Sequence, residues 1–158
     1  MGGLHSARLL LYSVDFAEIE ALQHKGEWQA TADILIQAAR TLEMAGADFL
    51  LIATNTMHKV AADVGAHVTI PLLHIADATA AVLQQAQVRR IGLLGTAFTM
   101  EQAFYRERLE AQGIEVLIPN ADERADVHRI IYQQLCRGEI RDDSRQRYLR
   151  VGNDSDEI

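Results

Sequence analysis

The sequence predicts an α/β protein whose parallel β-sheets are flanked by helices. Three observations carry this. Short apolar runs alternate with longer stretches of helical periodicity. The runs are apolar throughout rather than at every second residue, the pattern of strands covered on both faces. The helical stretches are bounded by small polar residues and glycines that suit helix caps.

The first strand is expected at residues 7–14 (ARLLLYSV), an apolar run with a polar end. Residues 27–45 have helical periodicity through Trp28, Ala32, Leu35, Ile36, Ala39 and Leu42, and Gly46 stands where a C-cap glycine belongs. Residues 49–53 (FLLIA) form a second strand, which stops at Thr54-Asn55-Thr56, and a short helix follows over residues 57–64. Residues 70–75 are a third strand, with Pro71 at its start, where a missing N–H is tolerated. Residues 77–87 are an alanine-rich helix, and residues 90–95 (RIGLLG) a fourth strand ending in Thr96. Thr99 and Gln102 have capping-box spacing, which predicts a helix from Thr99 as N-cap to Gln112, closed by Gly113. A fifth strand over residues 114–118, a helix over 122–137 closed by Gly138, and a last helix over 142–150 complete the pattern. The segments DFLLIATNTM and RRIGLLGTAFTM both read as strand, small polar loop and helix start. That echo fits two related α/β lobes and equally fits any pair of βα units.

Composition narrows the function classes. The 158 residues suit one domain with an apolar core, and 49% hydrophobic and 23% charged residues exclude a disordered chain. Fifteen basic against 22 acidic residues give a net charge of −7, the wrong sign for a nucleic-acid partner. No apolar run is long enough to span a bilayer and the N-terminus lacks a signal-peptide pattern, so no membrane partner and a cytoplasmic location are expected. The single cysteine, Cys136, excludes a disulfide framework, and its helical setting predicts a buried structural thiol. The six histidines show no paired ligand spacing, so no metal site is expected.

In open parallel sheets, ligands bind beyond the carboxyl ends of the strands. Here those ends carry Ser13 to Asp15, Thr54-Asn55-Thr56, His74, and Gly95-Thr96 with Thr99. Hydroxyls, amides and N–H groups at helix starts suit a small anion. Each residue alone also suits a helix cap, but Thr54-Asn55-Thr56 holds more polar side chains than one cap needs. The glycines of residues 92–96 lack the Gly-Lys-Ser/Thr ending of a phosphate loop.

The segments YSVDF (residues 12–16), TNTMHK (54–59), PLLHIADAT (71–79), IGLLGTAFTMEQAFYRERL (91–109) and IPNADERADVHRIIY (118–132) together resemble the aspartate/glutamate racemases, most closely the enterobacterial broad-specificity or L-aspartate/glutamate-specific amino-acid racemases. The resemblance runs over residues 3–150. It implies a two-lobe α/β fold, cofactor-independent exchange of the Cα proton between L- and D-amino acids, a role in D-amino acid metabolism, and neither pyridoxal phosphate nor a metal. Inversion needs two bases across the carbon, and such enzymes use one thiol per lobe. The resemblance places Thr54 at the first thiol's position as the catalytic residue, and Asn55, Thr56, Thr96, Thr99 and Gln23 as substrate-binding residues. A Thr hydroxyl is a far weaker acid than a thiol and needs activation. Against that pattern the chain is expected to lack a leading strand and the second lobe's cysteine. The expectation is an incomplete, truncated two-lobe racemase fold: a first lobe over residues 3–88, a partial second lobe over 89–150 and a disordered tail over 151–158. The expected ligand is a small amino acid or dicarboxylate. In this truncated form the racemase is expected to be inactive, and a homodimer is an expected assembly; the alternative is a non-catalytic remnant that binds small carboxylates or pairs with another chain.

Overall fold

In the computed structural model, which describes residues 3–154 (the side chains of 153 and 154 excepted), helices dominate and the sheets are short. Asp15 caps α1 (Phe16–Lys25) by accepting from the Ala17 N–H. Gly26 at φ 74° turns the chain into α2 (Trp28–Met44), and α3 (Ala61–Gly65) packs on α2. The two-residue strands β1 (Leu50–Leu51) and β2 (Leu72–Leu73) run parallel, with Leu50 opposite Leu72. Ile19, Ala32, Ile36, Ala39, Leu50 and Val64 are buried here.

A second parallel pair joins β3 (Arg90–Gly92) to β4 (Glu115–Leu117), with Ile91 opposite Val116. Around it lie α4 (Ile75–Gln85), α5 (Ala97–Glu101), α6 (Ala103–Glu110), α7 (Ala121–Gln133) and α8 (Asp142–Asp154). Ala76 and Ala80 of α4 let Tyr105 and Leu109 of α6 approach closely, and Ile114 closes that cluster. Met100, Val127 and Val151 form a second cluster. Asn120 opens α7 with a full capping box: its side chain accepts from the Glu123 N–H and Glu123 reaches back to the Asn120 N–H.

The molecule divides into two compact units. One holds the chain up to Ile52 together with Val60–Leu73; the other holds Ala53–Lys59 together with the chain from His74 on. α4 packs on α6, and residues 74–88 lie in the second of these compact units.

The α/β class with parallel strands holds, while several elements differ from expectation. Residues 7–14 form no strand, and Leu9 and Leu11 are about 80% exposed (79% and 81%). A helix closes its own hydrogen bonds, whereas a strand needs a neighbour's backbone. Among the described residues β1 and β2 pair only with each other, so nothing pairs with this run. The strands expected at 49–53, 70–75, 90–95 and 114–118 shrink to two or three residues for the same reason. The helix expected over 57–64 is a 3-10 turn (Thr56–Val60) followed by α3. The helix expected from Thr99 to Gln112 starts earlier, at Thr96, and breaks at Gln102, whose backbone is extended (ψ 147°). Cys136 is exposed, because α7 ends before it and a 3-10 turn (Leu135–Arg137) carries it outward. Residues 151–154, expected in a disordered tail, continue α8, since Val151 is buried against Met100 and Val127; residues 155–158 lie outside the described residues.

Candidate active site

Two loops of the second unit carry hydroxyls toward one point. The first follows β1 and holds Thr54, Asn55 and Thr56; the second follows β3 and holds Gly95, Thr96 and Thr99. Thr56 Oγ1 lies 3.0 Å from Thr96 Oγ1 and 3.4 Å from Thr99 Oγ1, and Thr96 Oγ1 lies 3.3 Å from Thr99 Oγ1. The three hydroxyls thus form a triangle from residues 40 and 43 positions apart in the chain. Thr56 and Thr99 are buried, and Thr96 is half-buried and forms the open edge. Thr96 also caps α5 by accepting from the Thr99 N–H at 3.3 Å. The capping role assigned to Thr99 therefore belongs to Thr96, and Thr99 points its own hydroxyl into the triangle. Gly95 makes room for it: a Cβ there would sit 3.2 Å from Thr99 Cβ.

Each hydroxyl brings one proton and two acceptor lone pairs. Three hydroxyls can satisfy one another in a ring, or can turn protons outward to an anion at the open edge. Thr54 and Asn55 are exposed, and neither the Thr54 hydroxyl nor the Asn55 side chain makes a hydrogen bond among the described residues. Gln23 is buried in α1 of the first unit.

Residues outside the hydroxyl triangle surround and hold these loops. His58 Nδ1 lies 2.7 Å from the Thr54 carbonyl oxygen, and the Ile75 N–H donates to His58 Nε2 at 3.2 Å. His74 caps α4, accepting from the Ala76 N–H at Nδ1 (3.1 Å). The two rings meet edge to face, with centroids 4.3 Å apart. Burial pushes the His58 imidazole below its usual pKa. Burial, then the neighbouring His58 and Arg108, bring His74 down to about 4. Lys59 donates to Gln102 Oε1 at 2.5 Å, and burial lowers its ammonium pKa. On the second loop, the Ala97 N–H donates to His128 Nδ1 at 3.0 Å. His58 lies four residues after Thr54 and bonds back to its carbonyl across the turn that leads into the 3-10 helix.

The family model for Asp/Glu/hydantoin racemases matches residues 1–155. The chain belongs to the Asp/Glu/hydantoin racemase family. The broad specificity amino-acid racemase RacX of Bacillus subtilis (strain 168) is 30% identical over 83 residues, 52% of this chain and 36% of that protein. A crystal structure of a proposed Asp/Glu racemase from Yersinia pestis superposes with a TM-score of 0.84 at 56% identity, covering 96% of this chain and 66% of the other. That of an aspartate racemase homologue from Pyrococcus horikoshii OT3 superposes with a TM-score of 0.74 at 38% identity, covering 88% and 61%. The chain thus spans less than two thirds of the length of these structural relatives, up to 66%, and its match spans 36% of the curated one. The racemase-like segments 54–59, 91–109 and 118–132 all fall in the second unit, where the hydroxyl triangle is. Among the described residues no helix is long and apolar enough to cross a membrane.

Proposed function

We propose that this chain carries the carboxylate-holding part of a cofactor-independent amino-acid racemase for aspartate or glutamate. The observation that carries the reading is the convergence of Thr56, Thr96 and Thr99 beside Thr54 and Asn55, within a chain of the racemase family. The open edge at Thr96, with Asn55, would hold the substrate α-carboxylate. Charge-assisted hydrogen bonds of this kind contribute about 1.5–3 kcal/mol each in a formed site. Holding that carboxylate fixes the Cα–H relative to Thr54 and supports the negative charge that builds up when the proton leaves. Thr54 stands at the base position.

A second observation bears on the 158-residue chain by itself. The Thr54 hydroxyl has no hydrogen-bond partner among the described residues that would take its proton, and the only thiol, Cys136, sits on a 3-10 turn outside the loops described. An unactivated hydroxyl is a poor base. We therefore propose that this chain alone binds a small carboxylate, in the region of 1 mM or about −4 kcal/mol, without racemising it. L-glutamate in D₂O, followed by proton NMR of the Cα–H signal, reads turnover; calorimetry with L-aspartate reads binding. Loss of the Cα–H signal that disappears in Thr54→Ala would overturn the inactive reading. Absence of any binding that depends on Thr56 and Thr96 would overturn the site itself.

A further inference from the structure

We propose that His58 is a positioning residue that sets the orientation of the Thr54–Asn55 peptide, and so of the residues on either side of it, by donating from Nδ1 to the Thr54 carbonyl. The inference deepens the racemase reading and rests on it for its functional consequence, though not for its structural content.

The geometry leaves His58 one arrangement of its proton. Nδ1 faces a carbonyl oxygen at 2.7 Å, which only accepts, so Nδ1 carries the hydrogen. Nε2 faces the Ile75 N–H at 3.2 Å, which only donates, so Nε2 offers its lone pair. The ring is therefore neutral and ties two backbone groups together: the carbonyl at the start of the loop and the first N–H of α4. The His58 N–H closes the same loop onto the Asn55 carbonyl at 3.0 Å. Rotation of the 54–55 peptide would break the Nδ1 bond and carry the Thr54 and Asn55 side chains, which have no hydrogen bonds of their own, to new directions. His58 is 3% exposed, so water does not readily replace the lost bonds.

His74 supports this ring from the side. Its Nδ1 accepts from Ala76, which puts its hydrogen on Nε2, and it meets His58 edge to face. The charged groups that act on both rings are Asp77 of α4 and Arg108 of α6, joined to each other at 2.6 and 2.7 Å. Burial disfavours a charge on either imidazole.

Two substitutions separate the two bonds. In His58→Asn the amide nitrogen replaces Nδ1 and keeps the bond to Thr54 but cannot reach Ile75. In His58→Gln the amide oxygen replaces Nε2 and keeps the bond to Ile75 but leaves the Thr54 carbonyl without a donor. Both lose one tertiary or local bond, so a purely structural role would lower the urea midpoint of both and alter the loop in both. Positioning expects a different split. Amide exchange at His58, which reads the closed loop, stays near the wild-type rate in His58→Asn and speeds by about tenfold or more in His58→Gln. L-aspartate, titrated by NMR against the Thr56 and Thr96 amides, binds His58→Asn within about threefold of wild type and His58→Gln about tenfold more weakly. In the wild-type chain, long-range ¹⁵N spectra at neutral pH show His58 protonated at Nδ1 only. Protonation at Nε2, or His58→Gln keeping both exchange protection and affinity, overturns the proposal, as does equal loss in the two variants. If L-aspartate fails to bind the wild-type chain, the racemase reading fails, while the tautomer and exchange measurements still decide the role of His58.

Discussion

Acid should weaken the second unit well above the pH at which carboxylates titrate, and His74 sets the size of the effect. Its folded pKa of about 4 lies below the ordinary histidine value of 6.5. Between those values the unfolded chain binds the proton and the folded chain does not, so stability falls as pH falls. The contribution is fully present above about pH 7 and is lost progressively from about 6.5 toward 4. For the full shift the loss by pH 5 is about 2 kcal/mol, from about 1.36 kcal/mol per pKa unit. His74 is 7% exposed, and solvent at the ring edge screens part of the penalty, so about 1–2 kcal/mol is expected. His58 is displaced in the same direction and adds to the slope. Asp77 and Asp126, held low by Arg108 and Arg147, begin to lose their contribution only in the carboxylate range, so pH 7.5 to 5 isolates the imidazoles. Urea unfolding by far-UV circular dichroism at steps through that range measures the slope. His74→Asn is the control: Asn is a good N-cap and can still accept from Ala76, but it does not titrate. Its stability at pH 7.5 should stay within about 1 kcal/mol of wild type, with a markedly smaller loss on acidification. A wild-type midpoint that is flat or rises toward pH 5, or an unchanged slope in His74→Asn, would refute the reasoning.

Other substitutions probe particular contacts. Leu109→Ala empties the fully buried centre of the cluster between α4, α6 and β4 and should cost about 3–5 kcal/mol in urea unfolding. Gly95→Ala brings a Cβ to 3.2 Å from Thr99 Cβ, so Thr99 must shift by a few tenths of an ångström; a loss of about 1–3 kcal/mol and weaker L-aspartate binding are expected, by calorimetry. Gln87, the first residue beyond the α4 C-cap, has φ 58°, a conformation that suits glycine; Gln87→Gly should raise the thermal midpoint, by about 0.5–1 kcal/mol of stability. Asn120→Ala removes the α7 capping box and should cost about 1 kcal/mol in the same assay.

Local signals in the sequence were sufficient for elements that satisfy themselves. α2 forms where the apolar stripe through Trp28, Ala32, Ile36 and Ala39 lay, and Gly46 and Gly138 turn left-handed where the helices end. Five segments taken together, from YSVDF to IPNADERADVHRIIY, pointed to the family, since their side-chain pattern is read directly from the chain. Tertiary contacts decided the rest. Residues 7–14 have the composition of a strand, yet a strand is stable only beside another strand. The spacing of Thr99 and Gln102 fitted a capping box as well as Thr96 fitted a cap, and the choice fell to Thr96 while Gln102 became the partner of Lys59. Cys136 lay in a helical pattern, but the end of α7 one residue before Gln134 turned it to solvent. The candidate site shows the division most clearly. Its residues could be named one by one from two loops, but which hydroxyls meet depends on packing that joins positions 40 residues apart, and on His58 reaching across to Ile75. Backbone hydrogen bonds within a helix are encoded over four residues; bonds between loops exist only after the core around α4, α6 and β4 has set those loops in place.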